Sequence, residues 1–338
     1  MYKTIEEKKS VFNECTINTE DELQEVIAQI GDKNALRFRG VCEAKYTMLS
    51  SLQRNCPSQL AGGQKGYMAA LLYRVKTDKA VDDYFNNKRR RNNDLTCMAL
   101  MQHLGLPTPL LDFSVDINVA LSFAADGVKM NSGNDETDGY VSLYVFNKDS
   151  EFEIGYSVQQ AYMNGVATGE KMLKDYREQH PNESVDASIL DEVNQFIKWD
   201  DLKECEIAFV EHQPIAPAVV MLSGQKFDIE NPNIARQKGC FLINLYDEAI
   251  PLEDNWNGRS IEKRDLFWTT RSDATVWPYK GAITRDKITC YDIRKDVIMS
   301  WAEKYKCDLY DTSAEILQLK KRLFEIKEKL DSEMGIGA

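Results

Sequence analysis

The sequence predicts an α+β fold, a mainly antiparallel sheet with helices around it and a helical extension at the C-terminal end. Three observations point there. Short runs rich in β-branched and aromatic residues, such as Tyr140-Val141-Ser142-Leu143-Tyr144-Val145-Phe146, read as strands. Segments with apolar residues three and four apart read as amphipathic helices, among them 19–30 and 313–330. The two kinds do not alternate in the βαβ order of a doubly wound sheet, and long insertions separate the strands of the second half.

Taken in order, Thr19 caps a helix over 19–30, with Glu20, Asp21 and Glu22 in its first turn, Leu23, Val26, Ile27 and Ile30 on one face, and Gly31 at its end. A short strand follows at 35–41, then helices at 67–79, 81–86 and 95–103, the last running into a turn at Gly105 and Pro107. Residues 110–113 are apolar enough for a buried strand, and 116–125 carry Ile117, Ala120, Leu121 and Ala124 at helical spacing. A polar loop at 131–139 precedes the strand at 140–146. Residues 150–201 are polar and helix-leaning, and strands are expected at 207–210, 218–221 and 240–243. The last quarter holds a strand at 287–291 and helices at 296–306 and 313–330, the final one set to pack on the body through Ile316, Leu319, Leu323, Ile326 and Leu330.

Composition narrows the classes. With 338 residues, 43% hydrophobic and 28% charged, the chain can bury one large core or two ordinary ones. A formal charge of -12 opposes sequence-independent binding to nucleic-acid phosphate, although Lys88-Arg89-Arg90-Arg91 is a local basic run. The eight cysteines include no C-x-x-C pair and the three histidines are far apart, so no zinc spacing is present and no metal is expected. Cys240, inside an apolar run, reads as a buried thiol of a protein kept reduced. The N-terminus carries charges and no apolar core of a signal peptide, and no segment approaches a membrane span. A cytoplasmic protein is the default expectation, and export by a route without such a signal would leave no mark here.

Three ordered motifs place polar groups at the ends of apolar runs. The first is Leu36-Arg37-Phe38-Arg39-Gly40; 49–54 follow it. The second is Gln102-His103-Leu104-Gly105-Leu106-Pro107-Thr108-Pro109-Leu110-Leu111-Asp112-Phe113-Ser114, and the third is Asn231-Pro232-Asn233-Ile234-Ala235-Arg236-Gln237-Lys238-Gly239-Cys240-Phe241. An Arg in a short apolar strand needs an anion, either an internal carboxylate such as Asp112 or a ligand. Ser114 and Asp116 compete to cap the helix that follows. His103 has the chemistry of a general base or a stacking surface, and its place beside a Gly-Pro turn equally suits a structural residue.

Together the motifs resemble the FRG domain, a bacterial family named for its first motif. FRG domains resemble divergent members of the ADP-ribosyltransferase superfamily, in which a split sheet grips NAD and transfers its ADP-ribose unit to an acceptor. The resemblance implies a split, mainly antiparallel sheet of that type over 19–245, with a helical insertion at about 150–201, an N-terminal extension at 1–18 and a C-terminal extension at 246–338. It implies that Phe38, Arg39, Gly40, His103, Asp112 and Ser114 contact NAD, with Gly40 letting the ligand approach the backbone. Arg39, Ser114 and Gln237 are the implied catalytic set, facing one pocket. Phe113 and Ser114 stand where the family commonly has Trp and Thr, and Pro109 where it often has Arg. Gln237 stands where related transferases carry a Glu that stabilises the developing oxocarbenium ion, so Glu204, Glu206 and Glu230 are alternative carboxylates.

The implied activity is mono-ADP-ribosylation of a macromolecule, most naturally a protein, as in a bacterial or phage-associated toxin, effector or defence protein. A module that binds a nucleotide or a partner without turnover, and an NAD glycohydrolase, are the alternatives. G-x-x-x-x-G-K-[ST] and G-x-G-x-x-G are both absent, so NAD, if bound, is not held by a Walker loop or a Rossmann turn.

Overall fold

The computed structural model describes residues 1–31, 36–55, 63–87, 94–130, 133–147, 178, 222–223, 232–243, 249, 251–253 and 288–336. The insertion at 150–201, the strands expected at 207–210 and 218–221, the basic run at 88–91 and the carboxylates Glu204, Glu206 and Glu230 lie outside the described residues.

The fold is α+β, as the pattern of runs predicts. Its elements are α1 (Ile5–Val11), β1 (Asn13–Ile17), α2 (Glu20–Ile30), β2 (Leu36–Val41), α3 (Ser51–Asn55), α4 (Gly63–Thr77), α5 (Lys79–Asn87) and α6 (Asp94–Leu104). They continue with β3 (Leu110–Ser114), α7 (Ile117–Ala125), a 3-10 turn (Glu136–Gly139), β4 (Tyr140–Asn147), β5 (Leu222–Ser223), α8 (Pro232–Gln237), β6 (Gly239–Ile243), β7 (Ile288–Arg294), α9 (Lys295–Tyr305) and α10 (Ala314–Glu333). Thr19 caps α2, and Glu22 completes a reciprocal box with it; Thr4 and Glu7 do the same for α1.

Among the described residues the strands form one sheet in the order β1-β7-β4-β2-β3-β6-β5. Every neighbouring pair is antiparallel except β1 and β7, which run parallel from Asn13↔Thr289 to Ile17↔Ile293. The sheet therefore takes a strand from each end of the chain. Sequence reading missed α1 and β1, because Asn-Glu-Cys-Thr-Ile lacks a β-branched alternation and gains its strand character from a partner far along the chain.

The sheet is joined unevenly. β4 is registered along its length with β2 and with β7, whereas β2 and β3 share the single pair Phe38↔Ser114. On one face Phe38, Val141, Leu143 and Ile293 pack under α2, α7 and α9 with Leu23, Ala120, Leu121, Ala124 and Trp301. The other face carries Phe12, Met48, Leu111, Phe113, Tyr144, Phe146 and Ile288. A third cluster fills the helical layer, where α10 lays Ile316, Leu319, Leu323, Ile326 and Leu330 onto α4 and α5, as expected of a helix packed on the body. No helix among the described residues is long and apolar enough to cross a membrane. Of the described cysteines, Cys97 and Cys290 are buried and Cys15 is exposed, all free.

A buried ion pair ties α1 to the middle of the sheet. The Lys8 ammonium and the Asp292 carboxylate are both fully buried and paired, and Ser142 Oγ bridges them, accepting from Lys8 at 2.7 Å and donating to Asp292 at 2.6 Å. Such a pair adds little net stability against an apolar equivalent, but losing one partner strands the other charge.

Gly40 marks the closest approach in the fold. A Cβ there would stand 1.7 Å from the Ala120 carbonyl oxygen and 2.7 Å from the Ala124 backbone nitrogen, so α7 lies directly on β2. The space that a ligand was expected to occupy at Gly40 is filled by helix backbone, and Phe38, 0% exposed, points into the same core. Gly40→Ala should lower the unfolding free energy by about 1–3 kcal/mol or more, since neither backbone can yield cheaply. Gly139→Ala, where a Cβ meets nothing within 4 Å, should stay within about 0.5 kcal/mol of wild type. Urea denaturation midpoints of the two variants check this.

Candidate ligand-binding cleft

The described cleft lies between β3 and the helices α6, α7, α8 and α10, with a volume of about 380 Å³. β3 contributes Asp112 to its floor. Within that strand Leu110, Leu111, Phe113 and Ser114 are buried, and Asp112 is the one residue left partly open. Strand alternation sends Asp112 to the side of its registered partner Phe241, under the end of α6.

Neighbouring polar groups hold Asp112 in a fixed attitude. Gln102 Nε2 donates to Asp112 Oδ2 at 2.7 Å, while Gln102 Oε1 accepts from the Thr108 hydroxyl. Thr108 is fixed in turn by Ser51, whose Oγ accepts from the Thr108 backbone N–H at 3.0 Å. The amide of Gln102 is thus oriented by its own partners, and the second carboxylate oxygen, Asp112 Oδ1, is buried with no partner. A buried acceptor left open this way is costly unless a ligand or water fills it.

His103 lines the same cleft as Asp112. Its ring meets Phe241 edge-on with centroids 5.1 Å apart, and its Nε2 is buried and also without a partner. Burial pushes its pKa down to about 4, against the opposing pull of the Asp112 charge and the Gln237 amide. The imidazole is therefore neutral at pH 7, a hydrogen-bonding group and a weak base.

The structure brings Ser114 and Gln237 together through the Gln237 backbone. Ser114 Oγ donates to the Gln237 carbonyl at 2.7 Å and accepts from the Asp116 N–H at 3.0 Å, while Asp116 Oδ1 caps α7 by accepting from Asn118 N–H at 2.8 Å. The competition between Ser114 and Asp116 resolves with Asp116 as the cap and Ser114 as a buried latch between β3 and the end of α8. The Gln237 side chain lines the cleft, but its amide donates to the Leu309 carbonyl at 2.9 Å.

Arg39 stands elsewhere. Its registered partner is Tyr144, which places it on the opposite face from Asp112 and Ser114. It reaches Asp112 all the same, through the backbone: Arg39 Nη1 donates to the Asp112 carbonyl at 2.8 Å across the gap where β2 and β3 part. The internal partner weighed for Arg39 is thus Asp112, by its carbonyl rather than its carboxylate. Arg39 is not among the cleft-lining residues, so the expected convergence of Arg39, Ser114 and Gln237 on one pocket is not what the geometry shows. Arg54, from the segment after the first motif, donates to the Leu49 carbonyl.

Sequence reading missed the outer wall. Tyr310, Asp311 and Thr312 on the strap between α9 and α10, Lys320 on α10, Phe123 on α7 and Asn233 on α8 all line the cleft. The strap is tied down by hydrogen bonds from the Cys307 N–H to Ser122 Oγ at 2.8 Å and from the Asp311 N–H to Asn233 Oδ1 at 2.5 Å. The run Asp311-Thr312-Ser313 signals a helix start in sequence, and nothing in it signals that the strap crosses a cleft. Among the described residues no three metal-ligating side chains converge.

The burial of His103 carries a pH signature. The unfolded chain protonates His103 below about pH 6.5 while the folded chain resists down to about 4, so its contribution is intact above 6.5 and is lost as pH falls between the two. Between pH 7 and 4.5 the His103→Asn variant should lose about 2 kcal/mol less unfolding free energy than wild type. Chemical denaturation at the two pH values measures it, and an equal loss in both proteins would place the shift elsewhere.

No curated protein and no solved structure was found to match the chain. A family model does match: residues 34–132, which contain β2, α6, β3 and α7 and so both the floor of the cleft and the Arg39 junction, match the FRG domain.

Proposed function

We propose that the protein acts on NAD, cleaving the bond between nicotinamide and ribose and passing ADP-ribose to a macromolecular acceptor, most naturally a protein. One observation carries the reading: Asp112 Oδ1 and His103 Nε2, buried and without partners, belong to two residues lining one cleft that the third motif also lines through Gln237. A ribose offers vicinal hydroxyls of matching chemistry, and the volume lies within the range of small-molecule sites. The carboxylate of Asp112 also supplies the negative charge that Gln237 lacks.

In this mechanism the C1′–N bond breaks and its electron pair leaves with the nicotinamide nitrogen, neutralising the pyridinium. Positive charge develops on C1′ and the ring oxygen, where the fixed carboxylate stabilises it without having to reorient. The acceptor nucleophile then bonds to C1′ and gives up its proton to solvent. Arg39 acts from behind the sheet, by holding the Asp112 backbone. The commitment of the Gln237 amide to Leu309 favours a second reading, a module that binds the nucleotide without turnover.

Nicotinamide release from NAD by the pure protein tests the first reading. Asp112→Asn should lower that release by about ten- to a thousandfold, the range for removing one positioned group from a site of developing charge. Binding of NAD without release supports the module, and release without transfer of label to any acceptor in a cell extract indicates a hydrolase. Failure of NAD to bind overturns the proposal.

A further inference from the structure

The outer half of the cleft is built by residues beyond the matched span 34–132, and its chemistry differs from that of the floor. Tyr310 supplies an aromatic wall held in place from two sides. Its hydroxyl donates to Asp126 Oδ2 at 3.1 Å, and its ring meets Phe123 edge-on with centroids 6.5 Å apart, yet the residue remains 47% exposed. Burial and the Asp126 charge push the Tyr310 hydroxyl up to about 12, so it stays a neutral phenol. A rigid, half-open ring suits stacking against a planar ligand.

Lys320 supplies the charge. It is the one Lys or Arg among the described cleft-lining residues. Lys304, Lys306 and Lys327 are each paired with a carboxylate, whereas the Lys320 ammonium has no ion pair among the described residues and sits 6.0 Å from the Phe324 ring centroid. The acidic residue of the rim, Asp311, is already engaged by the Ser313 backbone N–H at 2.7 Å.

We infer that Lys320 and Tyr310 read the nicotinamide nucleotide end of the ligand: Lys320 takes its 5′-phosphate and Tyr310 stacks its ring, while the ribose meets Asp112 and His103. This rests on the NAD reading and adds to it two specificity residues that lie outside the family match. Floor and rim then present opposite charges, a carboxylate below and an ammonium above, to a ligand with a cationic ring and an anionic phosphate.

Calorimetric titration with nicotinamide mononucleotide and nicotinamide riboside, which differ by that phosphate, tests the assignment on the full chain. Wild type should bind the mononucleotide about two- to fivefold more tightly, the scale of one solvent-facing charge pair. Lys320→Ala should erase the difference and leave the riboside affinity unchanged; Lys320 is exposed on α10, so the fold is not at stake. Tyr310→Ala should weaken both ligands alike, by about tenfold, and Tyr310→Phe should retain most of the affinity. Equal affinities in wild type, or a difference that survives Lys320→Ala, overturn the role of Lys320 while the NAD reading stands. Undiminished affinity in Tyr310→Ala overturns the stacking role. If NAD, mononucleotide and riboside all fail to bind wild type, the NAD reading falls and this inference falls with it.

Discussion

The structure depends on the junction between β2 and β3. The sheet is continuous by one registered pair there, Phe38↔Ser114, and side chains reinforce what the ladder does not supply. Arg39 reaches across the opening to the Asp112 carbonyl from one face, and Ser114 fastens β3 to the Gln237 carbonyl on the other. Because both bonds end on backbone, they set the position of the strand rather than the state of a side chain. Asp112 is consequently held three ways, by its neighbours in β3, by Arg39 and by Gln102, and its free carboxylate oxygen points where the surrounding framework directs it.

Two devices outside that junction complete the molecule. The parallel pairing of β1 with β7 closes the far edge of the sheet with strands from both ends of the chain, and the buried Lys8–Asp292 pair under Ser142 fixes α1 against it. The strap from 306 to 313 does the equivalent for the cleft, since its hydrogen bonds to Ser122 and Asn233 bring Tyr310 over a floor made near residue 112. The FRG match thus covers the floor and the junction, while the opposite wall comes from elements outside it.

The open polar atoms of the cleft differ from those elsewhere in the fold in that they line a cavity. Lys8 and Asp292 pair in the interior, although Asp292 Oδ2 is itself buried without a partner, and on the cleft wall Asp112 Oδ1 and His103 Nε2 remain open while burial keeps His103 neutral. Native interiors rarely leave such atoms without partners, and two lining one cleft are the strongest structural support for a ligand there.

The sequence by itself determined the fold class and most of the described elements: α2 with its Thr19 cap, β2, the helices from α4 to α7, β3, β4, β7, α9 and α10 all follow from local periodicity and capping. Polar residues beside buried strands drew attention to His103 and Asp112, and the resemblance to the FRG domain pointed to Gln237. What only the tertiary structure decided is where those groups point. Gly40 read as room for a ligand and is room for α7, since a glycine records a close approach without recording what approaches. Arg39 read as facing the pocket and lies behind it, because alternation along a strand fixes relative sides but not which side holds the cleft. The β1–β7 pair and the strap over the cleft were illegible for one physical reason: both are contacts between segments far apart in sequence, with no local pattern to announce them.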